Sequence, residues 1–220
     1  MSTATIETHP APAVAGSAFP RRRWTVAEFE EMIARGVMRE GGPEFLWDGE
    51  ICEAMSEYEP HVNAYNALIQ ALYMRLDLNA WIVRANNPLW LREGYLPNPD
   101  IVVLPGSRST YKGRRPTAAD AALVVEIANT SYPDDSRVML PEYARGGVPQ
   151  YWIVHINARR VEVYRDPKTV GDVGAYAPPV FYAMDAEVPL RLAPGGGQPE
   201  REFPPIPVAE ILRDSLEEER

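Results

Sequence analysis

Two short apolar runs constrain this chain more than any other feature of it. Ile101-Val102-Val103-Leu104 and Ala122-Leu123-Val124-Val125 continue without polar interruption. A strand with one wet face alternates apolar and polar residues, whereas a strand covered on both faces reads as a continuous run. The two runs therefore predict central strands of a sheet with cover on each side. Each run carries one acid. Asp100 opens the first directly after Pro99, and Glu126 lies in Val124-Val125-Glu126-Ile127.

The segments around these runs supply the cover. Thr25 and Glu28 form a capping-box pattern ahead of Val26, Phe29, Met32 and Ile33, which predicts a short helix stopped by Gly36. Phe45 to Ile51 reads as two strand arms about an Asp48-Gly49 hairpin turn. Val62, Tyr65, Leu68, Ile69, Leu72 and Leu76 share one face of a helix expected over 61–78, behind Pro60. Strands are expected at 81–84, 89–92, 151–154 and 161–164, and a helix at 136–145 in spite of Pro141. Weaker strand signals lie near 180–182 and 188–192, followed by a Gly195-Gly196-Gly197 break and a last helix from Val208. The order describes a mixed α/β domain around a central sheet.

At 220 residues the chain suits one domain with tails. Residues 1 to 20, rich in Ala, Pro, Thr and Ser, read as a disordered tail that runs on to Arg23. Residues 24–194 form the expected domain, and 195–220 a C-terminal extension with a short acidic helix. A lone Cys52 excludes an internal disulfide framework and a thiolate zinc cluster, and reads best as a buried structural cysteine. No apolar run reaches membrane-spanning length, and the first twenty residues lack a secretory pattern, so a cytoplasmic protein without a membrane partner is expected.

Several chemistries find no support. The chain has no G-x-S-x-G elbow, no Walker A sequence and no dinucleotide-binding glycine pattern, and His9, His61 and His155 are isolated from one another. The two acids are more informative. A carboxylate in an apolar strand is costly unless it is paired or bound to a cation. Asp100 and Glu126 on separate strands can converge at one end of a sheet, where Mg²⁺ would take one or two carboxylates and keep its waters. The plainer alternative makes each a surface or ion-paired acid.

The formal charge of −9 disfavours a broad, sequence-blind grip on nucleic acid. Locally the balance reverses. Arg108, Lys112, Arg114 and Arg115 fall in an acid-free segment joining the two acidic strands, so they are expected near the acid pair, where they could contact phosphate. A solvated loop offsetting the acidic body is the alternative.

Taken in order, Phe45 to Ile51, Met55-Ser56, His61, Pro99-Asp100, Leu123 to Ile127, Asp135, Tyr143 to Pro149, Tyr151 to Val154 and Arg160 to Tyr164 resemble the Uma-two restriction endonuclease family of the PD-(D/E)XK nuclease superfamily. The resemblance covers roughly 25–192. It implies a restriction-endonuclease-like α/β/α core with a central mixed sheet, and a Mg²⁺- or Mn²⁺-dependent endonuclease acting on DNA. It also implies Asp100 and Glu126 as metal ligands, with His61 and Glu44 as accessories.

Two positions depart from that family pattern. The lysine expected four residues after Asp135 is Met139, for which Arg137 and Arg145 are the nearest cationic replacements. Glu44 stands one position too early, and a one-residue bulge would restore it. A catalytically inactive module binding nucleic acid or a protein partner is therefore the rival expectation, and a homodimer is compatible with either.

Overall fold

The computed structural model describes residues 21–54, 58–195 and 197–215. The tail expected over 1–20, Met55-Ser56 of the resemblance, and the acidic run after Ser215 lie outside them.

The two apolar runs do occupy the middle of a sheet. Ile101–Pro105 (β4) and Leu123–Ala128 (β5) pair antiparallel, and both are buried almost throughout. Trp81–Ala85 (β3) closes one edge against β4. On the other side Gln150–His155 (β6) runs parallel to β5, then Arg160–Arg165 (β7) and Val180–Ala183 (β10) follow antiparallel. The result is one mixed six-stranded sheet in the order β10-β7-β6-β5-β4-β3.

Alternation along these strands divides the core between two faces. Ile101, Val103, Val125 and Ile127 pack with Leu68 and Leu72 of the long helix Glu59–Arg75 (α2). Fully burying each such leucine contributes on the order of 2 kcal/mol. Val102, Leu104, Val124 and Ala128 face the other way, toward Tyr143, Tyr151 and Leu89.

Tyr143 belongs to a helical stretch built in three pieces, Tyr132–Asp134 (α3), a π turn over Asp135–Met139, and Leu140–Arg145 (α4). The helix expected over 136–145 is thus broken, and Pro141 supplies the reason. Its ring would clash with the carbonyl four residues back, so the wider turn precedes it.

Three further elements frame the sheet. Val26–Ala34 (α1) begins at the Thr25 capping box. Glu44–Trp47 (β1) and Glu50–Glu53 (β2) form the hairpin about Asp48 and Gly49, whose φ values of 47° and 68° are those of a primed turn. Only glycine fits at position 49, since a Cβ there would stand 2.7 Å from that of Arg23. Leu46 ties the hairpin to Leu96 through an isolated bridge.

Elsewhere the structure revises the boundaries. α2 starts two residues before His61 because Pro60, lacking an N–H, is tolerated in a first turn. The strand expected at 89–92 does not form. Trp90 and Arg92 make single bridges, to Thr117 and Tyr95, and Gly94 turns the chain back before a ladder can extend.

Small ribbons complete the chain: Lys168–Val170 (β8) with Val173–Ala175 (β9), and Glu187–Leu192 (β11) with Arg201–Pro207 (β12). Three prolines hide β12 from a sequence reading, yet an edge strand accepts them. Val208–Leu212 (α5) follows at once, and Ile206, Val208, Ile211 and Leu212 enter the core beside α2. Arg75 fixes the contact by pairing with Glu210 at 2.8 Å. The C-terminal segment expected as an extension therefore packs into the same core as the sheet. Among the described residues no helix is long and apolar enough to cross a membrane.

Candidate active site

The β4–β5 register brings the two acids together. Ile101 pairs with Val125, so the antiparallel ladder places Asp100 opposite Glu126. The Asp100 N–H donates to Glu126 Oε2 at 3.0 Å, and the Ile127 N–H donates to Asp100 Oδ2 at 2.7 Å. From the first turns of α2, His61 Nε2 approaches the same Oδ2 at 3.1 Å. The Tyr143 hydroxyl donates to Glu126 Oε1 at 2.7 Å. Asp135, from the π turn, accepts from Ser131 Oγ at 2.8 Å. Asp100 and Glu126 thus converge as their strands predict, and His61, the accessory that the resemblance implies, stands beside them.

Burial dominates the electrostatics. Glu126 is 6% exposed and Asp135 8%. Burial pushes the Glu126 carboxyl well above its usual range, with the charges of Asp100 and Asp135 adding to the shift and the Asp100 N–H and Tyr143 hydroxyl opposing it. Asp135 is raised to about 7, again chiefly by burial. Tyr143 is held neutral by burial and by Glu126, which makes it a steady donor.

His61, Asp100, Glu126 and Asp135 line a cleft of about 700 Å³, and Tyr143 lies behind it. Glu53, Asp100, Glu126, Asp134 and Asp135 contribute five carboxylates to its wall, while neither lysine nor arginine lines it. Met139 stands in that wall where the resemblance calls for lysine. Arg145 is engaged with Asp172 at 2.9 Å, and Arg137 is outside the lining, so neither replaces it.

The hairpin presents Phe45 and Glu53 to the cleft, and Glu44 is not among the lining residues. Glu44 and Glu53 face each other across the β1–β2 ladder, with no bulge between them. Cys52 is half-buried, and burial followed by the Glu50 charge pushes its thiol up, against a nucleophilic role.

The basic segment lies elsewhere. It leaves β4 from the end opposite Asp100, so the expectation that it flanks the acid pair is not met. Arg108, Lys112, Arg114 and Arg115 line a second cleft of about 1080 Å³, which shares no lining residue with the first. Arg114 is held by both oxygens of Asp120, at 2.8 Å each.

A second buried acid escaped the sequence reading. Glu126 pairs with Ile153, and Ile153 with Glu162, so both glutamates occupy one row across the sheet. Glu162 is fully buried but has its own cation: Arg160 binds Oε1 at 2.7 Å, and Tyr164 donates to Oε2 at 2.7 Å. Burial pushes this carboxyl up, but the bonds from Tyr164 and Arg160 outweigh it and leave it lowered. Asp135 and Tyr143 were in the motif but carried no assigned role. Asp135 is acidic in a segment closing on β5, which was the available signal.

The donor chemistry of the first cleft fits a hard divalent cation. Two facing carboxylates with room for water suit Mg²⁺, and the lining offers no fixed positive charge to replace it. Among the described residues no ready-made cluster of three or more His, Cys, Asp or Glu ligands exists, so the pair itself is the unit to consider.

The central mixed sheet with its flanking helices is a restriction-endonuclease-like fold. The chain belongs to the Uma2 family, described as "Putative restriction endonuclease", whose match spans residues 26–219. A solved structure from Anabaena variabilis ATCC 29413, described as a "putative nuclease belonging to DUF820", is similar in fold. Its TM-score is 0.62 at 13% identity, over 87% of this chain and 99% of that one. No curated protein matches.

Proposed function

We propose that this protein is a metal-dependent endonuclease that hydrolyses DNA phosphodiester bonds at the Asp100–Glu126 cleft. One observation carries the reading: two acids distant in sequence face each other in a cleft lined by five carboxylates and no lysine or arginine. Such a wall repels a phosphodiester until a cation intervenes.

Asp100 and Glu126 would hold Mg²⁺ or Mn²⁺. When bound, that ion would offset charge on the attacked phosphate and lower the pKa of a water beside it. The protein's own part is positional. The Asp100 N–H and the Tyr143 hydroxyl fix both Glu126 oxygens, and the Ile127 N–H and His61 fix Asp100 Oδ2. That leaves Asp100 Oδ1 outside these bonds. His61, once protonated, could also hold a proton beside the phosphate.

The test compares the wild type with Asp100→Ala in plasmid cleavage with Mg²⁺ or Mn²⁺. Nicking by the wild type alone supports the reading. Equal cleavage by both proteins removes it, and so does cleavage by neither together with no calorimetric binding of Mn²⁺. Met139→Lys adds a further arm: faster cleavage would assign the missing charge to that position.

A further inference from the structure

The second cleft carries an inference that rests on the nuclease reading and extends it. Its basic groups do not all serve the fold. Arg114 is claimed by Asp120. Glu30 pairs with Arg115, and Glu93 accepts the Val26 N–H at 2.8 Å to start α1, so both carboxylates in the lining are already engaged. Arg84 differs. Half-buried on β3, it reaches only the neutral Asn87 Oδ1, at 3.0 Å, and no carboxylate pairs with it among the described residues. Arg115 stands close enough to repel it, and Arg115 Nε is buried without a hydrogen-bond partner among the described residues. Two guanidinium groups thus share a partly dry pocket with unspent donors, in a protein of charge −9. An anion would relieve both.

Trp90 narrows the class of anion. Its backbone is pinned to Pro116 and Ala118 by bonds of 3.1 and 2.9 Å, while its side chain is 39% exposed and lines the cleft. An exposed aromatic side chain on a held backbone, in one cleft with guanidinium groups, suits a phosphate-linked planar ring. Bases within a duplex keep their faces stacked on one another, so only an unpaired base can use such a platform.

Position links the two clefts. Arg84 pairs with Val102, two residues along β4 from Asp100, and Asn86, two residues further along the chain from Arg84, lines the acid cleft. Two strand residues span about 7 Å.

We propose that the cleft formed by Arg84, Trp90 and Arg115 binds single-stranded nucleic acid, phosphate on the arginines and a base on Trp90. A strand seated there leads into the acid cleft, so the preferred substrate carries an unpaired segment beside the cleaved bond.

Binding can be read apart from cleavage. Fluorescence anisotropy with a labelled oligothymidine and a blunt duplex of equal length, in EDTA, uses the full-length Asp100→Ala protein as the parent. The expected result is tighter binding of the single strand, weakened roughly 5- to 100-fold by Trp90→Ala and by Arg84→Gln. Arg84→Lys should lose less, and thermal melts of all variants should match the parent. Equal or tighter duplex binding overturns the proposal, as does unchanged oligothymidine affinity in both folded variants. Cleavage that occurs without any dependence on Arg84 or Trp90 would sink this inference alone. Single-strand binding by a wild type that neither cleaves nor binds Mn²⁺ would instead sink the nuclease reading and leave the single-strand site standing.

Discussion

Glu126 and Glu162 occupy the same row of one sheet, two strands apart, and meet opposite fates. Glu162 is the more deeply buried, yet Arg160, Tyr164 and Tyr132 surround it with donors and its carboxyl is lowered. Glu126 faces other acids, keeps one tyrosine hydroxyl and one backbone N–H, and is raised. A fold that can supply an arginine to one buried glutamate withholds it from the other. The difference teaches that the acid cleft lacks the kind of fixed positive charge that settles Glu162.

The strongest way to break this contrast is to neutralise each glutamate in turn. Glu126→Gln should lower cleavage by roughly 100- to 1,000-fold, measured as plasmid nicking rate, while raising the metal-free melting temperature. Glu162→Gln should leave cleavage near wild type and destabilise the fold. Its cost should be about 1–3 kcal/mol in urea denaturation, discounted because Arg160 is partly solvated. Lost cleavage at unchanged stability in Glu162→Gln would erase the distinction.

A pH series sharpens it. Asp135 is raised from 3.8 to about 7, so between those values the folded state binds more protons than the unfolded one. Metal-free stability should therefore fall as pH rises from about 4 to about 7, by at most about 1.4 kcal/mol per pH unit for this group. Asp135→Asn should flatten that slope in thermal melts. Asp120 has the opposite sign. The Arg114 bond lowers it to about 2, so its contribution is present above 3.8 and is lost only as pH falls toward about 2.

The smallest expected effect is that of Tyr143→Phe. Losing one hydrogen bond to Glu126 is worth roughly 1 kcal/mol. It removes a group that favours the ionised carboxylate, so Mn²⁺ binding followed by calorimetry should need a higher pH.

Much of this site was legible in the sequence because strands write their register in the chain. Asp100 and Glu126 stood on two continuous apolar runs, and an antiparallel ladder needs only correct pairing to join them. What stayed hidden depended on direction or on distant partners. The loop between those runs is tethered to both strands, which does not tell which end of the sheet it leaves. Arg84 and Trp90 lie in an unremarkable strand and a failed one, and only folding makes them neighbours of Arg115. Prolines masked β12, and Pro141 turned an expected helix into three pieces.

The way β12 and α5 close against α2 has a consequence for biosynthesis. Ile206, Val208, Ile211 and Leu212 follow α2 at a long distance along the chain, yet they wall in the outer flank of that helix. A nascent chain halted at residue 194 would hold that helix, and His61 with it, against an unfinished apolar surface. Assembly of the acid cleft thus waits on the synthesis of β12 and α5, and chains cut short of them should be cleared as misfolded.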